Sequence, residues 1–241
     1  MKEGFDYVIR EFIDFVNQQV GVYMDALAGF AGHHTRVERQ VHRISRAIKS
    51  SIDNTGERVV VRASYEDPTQ PDIIHNRIIR ANDYISANSI GGSNEQQHAR
   101  AILVFLFMYW EDEVRPRLAT AKSVELQEIR SDIMGDLRIL RNIFLHAKGI
   151  VRTDKHRDLK KLGDLFLVDQ PAHISHESMH KIFVLIKQDC ARMLFEWLGV
   201  KDAPIQPEEI VDLAIQKGRP LNCQNRMLEQ EQMVSGLAII H

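Results

Sequence analysis

Apolar or small residues recur at Ile9, Phe12, Val16, Val20, Tyr23, Leu27, Phe30, Val37, Val41, Ile44 and Ile48, in steps of three and four, with His34 filling the one vacant position. This pattern predicts a long amphipathic helix, or a bent pair, whose coiled-coil-like seam packs on later helices or on a second copy. Gly29 and Gly32 mark the expected break, since each glycine costs about 1 kcal/mol in a helix interior. After the seam, Asp53-Asn-Thr-Gly56 reads as a turn. The β-branched run from Arg58 to Tyr65 reads as a short strand or hairpin, and the segment from Asp67 to Pro71 as a loop. Asp72 is expected to cap a helix running to about Ala87, and Ser89-Ile-Gly-Gly-Ser-Asn94 to link it to the next.

That next helix spans about Glu95 to Leu118. From Ala101 to Trp110 it is apolar on every side, which predicts a central helix buried all round. Glu111, Asp112, Glu113 and Arg115 emerge at its far end, and Pro116 either kinks or stops it. A later amphipathic helix is capped by Ser175 and runs to Gly199. From Lys201 the composition turns polar and Pro-rich, so the tail reads as mobile or as a docking segment.

Between these two lies the stretch with the most chemistry, Arg130 to Lys148. At about 100° per residue, Ile133, Leu137, Leu140 and Phe144 fall within roughly 60° of one another and form a core stripe. Asn142 and His146, four apart, fall on the opposite side. Ile139 and Ile143 stand beside them, so this side is apolar where a solvated helix would carry Lys and Glu, and a second burial against a partner surface is expected. Arg141 lies between the two faces, with a side chain long enough to reach the same surface.

The sequence Arg141-Asn-Ile-Phe-Leu-His146 resembles the Arg-x4-6-His motif of HEPN domains, with Asn directly after the Arg as is common in that family. Tyr109-Trp-Glu-Asp-Glu-Val-Arg115, Asp136-Leu-Arg138 and Leu162 to Val168 add to the likeness, which covers about residues 94 to 200. A second Arg-x4-6-His match, Arg36 to His42, lacks these surroundings. The resemblance implies an all-α bundle and metal-independent endoribonuclease chemistry without a cofactor. It implies Arg141, Asn142 and His146 as catalytic residues, with Glu111 or Asp112 orienting Arg141. A homodimer through the motif helix is also implied, as is a setting in toxin-antitoxin or phage defence with an antitoxin or other partner protein. A non-catalytic HEPN module that binds RNA or a protein is the second reading. Some HEPN toxins carry a Tyr two residues after the motif His; here Lys148 stands there, a candidate phosphate contact.

Charge adds one element. The chain is nearly neutral at -2, so an RNA-binding surface must be local rather than a global field. Arg36, Arg39, Arg43 and Arg46 follow one another at helical spacing and form the best basic stripe for phosphates. Composition is that of an ordinary soluble globular protein, with 44% hydrophobic and 27% charged residues. Two cysteines outside any Cys-x-x-Cys pair fit a reducing cytoplasm. No signal peptide or membrane span is read from the sequence.

His176-Glu177-Ser178-Met179-His180 formally matches the His-Glu-x-x-His zinc signature, a third reading as a zinc hydrolase. Ser175 as helix cap would place it in a first turn, Lys181 is charged, and no third ligand stands at an obvious spacing, although Glu196 lies sixteen residues on. No metal is therefore assigned. The expected architecture is all-α, with a long-helix region over 1–90 that includes room for one β-hairpin, a HEPN-like bundle over 94–200 and an extension over 201–241.

Overall fold

The long amphipathic pattern folds as one uninterrupted helix, α1, from Phe5 to Ile48. This computed structural model describes residues 4–62, 69, 78–147 and 149–199. Its contacts divide the described residues into two units, with the boundary after Lys187. The expected break at Gly29 and Gly32 does not occur. Helix growth is cooperative, and α1 is anchored on both sides of the glycines, by Tyr23 at 1% exposure and Val37 at 3%. Those anchors outweigh two glycine penalties of about 1 kcal/mol each.

The first half of α1 lies antiparallel on α4 (Ser93–Tyr109). Phe15 stacks on Tyr109 at 3.9 Å between ring centroids and meets Phe105 edge-on at 5.4 Å, while Tyr23 and Phe30 lie near His98. Two polar clamps fix this crossing. Arg117 donates to both oxygens of Glu11, at 2.7 and 3.0 Å, and Tyr109 Oη donates to the same carboxylate. Tyr23 Oη donates to buried Glu95 at 3.3 Å, whose other oxygen accepts from the Gly91 N–H at 2.7 Å.

The second half of α1 runs beyond the start of α4 and carries its own small cluster. Ser51 caps α2 (Ile52–Arg58) by accepting from the Asn54 N–H, so the expected Asp53–Gly56 turn is the first part of a helix. Gly56 is needed there because a Cβ would collide with the Asn82 side chain, which donates to Asp53 O and Glu57. Strand β1 (Val60–Arg62) pairs antiparallel with β2 (Ile78–Arg80), and α3 (Ala81–Ala87) follows. Val37, Val41, Ala81 and Tyr84 pack together inside this group. Ile78, expected to be helical, is in β2, and the expected cap Asp72 lies outside the described residues.

Past α4 the helix widens into a π-helical turn, Trp110–Val114, and continues as α5 (Arg115–Lys122). Pro116 neither breaks the chain nor ends it. The wider turn absorbs the residue that has no N–H to donate, and the proline falls in the first turn of α5. A short 3-10 turn then leads to α6 (Asp132–His146). The remainder comprises β3 (Ile150–Val151), α7 (Thr153–Asp158), β4 (Gln170–Pro171), which pairs with β3, and α8 (His176–Trp197). The fold is mainly all-α, as expected, with two short antiparallel strand pairs among the described residues. No described helix is long and apolar enough to cross a membrane.

Helix α4 is not buried all round. It packs on α1 and α6, but Ala101 is exposed and Phe105 is 52% exposed. Two neighbouring helices cover two sides of a cylinder, and the apolar run has residues left over.

Two outcomes follow. The positions where Cβ atoms would stand on Gly29 and Gly32 are open, so Gly29→Ala with Gly32→Ala raises stability by about 1–2 kcal/mol, read as a higher urea midpoint. Hydrogen bonding and the charge of Arg117 lower the pKa of Glu11. A carboxylate lowered on folding adds stability above its unfolded pKa and loses it as pH falls through the folded one. Between neutral pH and about pH 3.5 the wild type therefore loses more stability than Glu11→Gln, measured by urea unfolding at each pH.

Candidate functional site

Helix α6 is defined at both ends by its own sequence. Ser131 Oγ accepts from the Met134 N–H at 3.1 Å, and the N–H groups of Ala147 and Gly149 both return to Ile143 O. Gly149 holds φ +76°, the left-handed closure that favours glycine after a helix. Ile133, Leu137 and Leu140 are buried as expected, while Phe144 is half-buried under the Arg100 guanidinium at 5.6 Å. Ile143, expected on a partner-facing side, is instead 1% exposed within the chain. The core stripe is wider than four residues and takes Ile143 in, leaving half-buried Ile139 as the apolar residue on that flank.

The motif residues divide between two sides of the helix. Arg141 leans over α4, its guanidinium 6.0 Å from the Phe107 ring, and Nη1 donates to Asn142 Oδ1 at 3.1 Å. Its Nε is buried with no hydrogen-bond partner among the described residues. Asn142 and His146 are exposed. Arg138, four residues before Asn142, is exposed on the same line, so Arg138, Asn142 and His146 form one row at successive helical turns. The sequence held this signal in the four-residue spacing; attention to the Arg-x4-His form passed over it.

A cleft of about 580 Å³ opens beside this row. Its floor is apolar, from Phe107, Trp110, Ile129, Met134 and Ile139, and Asn142 and Arg138 stand at its edge. Charged side chains surround it, and several are paired: Arg115 with Glu111 at 2.7 Å along one helix, and Lys160 with Asp132 at 2.6 Å. Glu111 thus holds Arg115 rather than Arg141, because Arg115 lies one turn away on the same helix whereas Arg141 is drawn to Asn142. Asp112 is exposed and likewise does not orient Arg141. Arg141 and His146 are not among the residues lining the cleft. Lys148 lies outside the described residues.

One wall of the cleft hangs on a buried carboxylate. Asp136, 1% exposed, accepts the backbone N–H groups of Lys160, Lys161 and Leu162 at 2.6 to 3.1 Å. That arrangement pins the 160–162 loop against α6.

Arg36, Arg39, Arg43 and Arg46 are all exposed on the second half of α1, away from this cleft. His176 and Glu177 lie in the first turn of α8 and His180 opens the second, and Ser175 Oγ accepts from the Ser178 N–H, as the cap reading expected. All three are exposed, and the His176 ring stacks near Tyr23 at 6.0 Å. Among the described residues no three His, Cys, Asp or Glu side chains gather to hold a metal ion. No family model, curated protein or solved structure matches the chain.

Asp136→Ala leaves three backbone donors without their acceptor; those of exposed Lys160 and Lys161 can turn to water, and that of buried Leu162 costs about 1–3 kcal/mol. A loss of about 1–3 kcal/mol is expected in chemical denaturation, with proteolysis of the native protein newly directed to the 158–163 loop.

Proposed function

We propose that the exposed end of α6 handles RNA phosphates and that the protein is a metal-independent endoribonuclease of the HEPN type. The observation that carries this reading is the joint placement of Arg141, held by Asn142, and of His146, open to solvent, within the last turns of one helix. The chemistry needs little more from the protein. RNA supplies its own nucleophile in the 2′-OH, so the site has to move protons and stabilise a more highly charged phosphorane. A histidine exchanges protons near neutral pH, and an arginine fork matches two phosphate oxygens. Arg138 offers a second guanidinium on the same row as His146.

The motif histidine of one chain serves as base or as acid, and a second copy facing the first would supply the other role. The exposed residues available to meet it are Asn142, His146 and Leu145, the last 54% exposed, with Ile139 at their flank. A narrower apolar patch than the sequence promised favours a dimer that forms on substrate over one that is permanent. A second reading, a binding module without catalysis, draws on the cleft: an apolar floor with polar groups at its edge is the usual form of a ligand site, and neither Arg141 nor His146 lines it.

Purified protein incubated with total RNA and tRNA in EDTA separates the two. The nuclease reading expects 2′,3′-cyclic phosphate ends, with rates lowered about a hundredfold or more by His146→Ala and by Arg141→Ala. Arg138→Ala lowers the rate as well if its guanidinium reaches the phosphate. Cleavage that survives His146→Ala and Arg141→Ala rejects the site; binding of RNA without any cleavage selects the second reading.

A further inference from the structure

Helix α1 keeps one core face along its whole length, from Phe5 and Phe12 through Tyr23 to Val37 and Val41. Stepping round at about 100° per residue, Arg36, Arg39, Arg43 and Arg46 fall within about 80° of one another and on the side opposite Val41. They cover about 15 Å of helix at 1.5 Å per residue. All four are exposed. Arg36 bonds His33 at 2.9 Å, while Arg39, Arg43 and Arg46 have no acidic partner among the described residues. Of the acids near in sequence, Glu38 lies 4.0 Å from His34, Glu57 pairs with Arg80, and Asp53 pairs with none of the four. In a chain of net charge -2, a row of unmatched guanidinium groups on an unbroken helix is a local field with a definite direction.

We propose that this face of α1 is a docking track for the phosphate backbone of RNA, separate from the α6 site. Arginine rather than lysine at all four positions suits bidentate capture of phosphate oxygens. The row is linear and carries no aromatic side chain for base stacking, so it takes backbone and not sequence. It also faces away from α6: α4 packs on the core face of α1, and α6 packs on α4. Helices α1 and α6 both lie antiparallel to α4, so the Phe144–His146 end of α6 and the projecting half of α1 share one end of the bundle. An RNA that engages both on one chain must therefore turn round that end, and a short oligonucleotide cannot. That the polyanion is RNA rests on the reading of α6; the track itself does not.

The test is fluorescence anisotropy with a short oligonucleotide, a long structured RNA, duplex DNA and phosphatidylserine vesicles, using the full chain with His146→Ala so that nothing is cleaved. Arg39→Glu with Arg43→Glu is expected to weaken binding of the long RNA by about tenfold or more at low salt and to make its salt slope shallower by about 1–2. The short oligonucleotide, which cannot span the track and α6 together, should lose less affinity than the long RNA. The same reversal at Arg10 and Lys122, exposed elsewhere, should leave both unchanged, and circular dichroism with a melting curve checks that each variant is folded. Unchanged long-RNA binding in the folded Arg39/Arg43 variant overturns the proposal, as does loss of binding to duplex DNA or vesicles with RNA unaffected. Wild-type protein that binds long RNA through this row but cleaves nothing rejects the α6 reading alone.

Discussion

Everything in the larger unit depends on α4 being covered on two sides by helices that run against it. α1 supplies one cover and α6 the other, and the aromatic and aliphatic side chains between them form the core. Dispersion and burial provide the energy, but they do not fix how far one helix slides along another. The polar clamps do that. Glu11 to Arg117 and Tyr23 to Glu95 pin α1 at two heights of its partner, and Gln96 does the same for the segment before α8 by exchanging two 2.8 Å bonds with the backbone of Ile174. Groups of this kind are costly to leave unmatched in a core, so a slipped packing is penalised at several places at once.

The same packing sorts the surface. With α6 seated by Ile133, Leu137, Leu140 and Ile143, Arg138, Asn142 and His146 are necessarily displayed, and Arg141 is placed at the border where its guanidinium lies over Phe107. Seating α1 by Val37 and Val41 displays the four arginines in the same way. The candidate chemistry at both places is thus a by-product of which face each helix buries. The cleft beside the α6 row has a further requirement, the hold of Asp136 on the loop after α7, since without it the charged rim has no fixed far wall.

Much of this was legible in the residues alone, and for a clear reason. A period near 3.6 identifies an amphipathic helix and its buried side, so α1, α6 and α8, the cap at Ser175 and the exposed row of arginines could all be read. What failed depended on partners distant in sequence. Gly29 and Gly32 look like a break until the anchors on either side are known, and Asp53 to Gly56 looks like a turn until Asn82 is seen to need the space at Gly56. The run in α4 looks buried all round because hydrophobicity does not say how many neighbours a helix will find. Ile143 was assigned to a partner because a flank residue of a helix goes inward or outward according to the width of the groove it meets. Asp136 entered the sequence reading only as part of a family likeness and its buried role gave no signal, for a lone acid on a helix gives no hint of three backbone N–H groups from a loop more than twenty residues on.

The central claim is that RNA meets the protein at the end of α6. Titration of isotopically labelled protein with a 2′-O-methyl RNA that cannot be cleaved, followed by two-dimensional NMR, tests it most directly. The account predicts shifts centred on Arg138, Asn142 and His146, including the Asn142 side-chain amide as its bond with Arg141 is disturbed. RNA that binds and shifts other parts of the molecule while these α6 signals stay in place would contradict it.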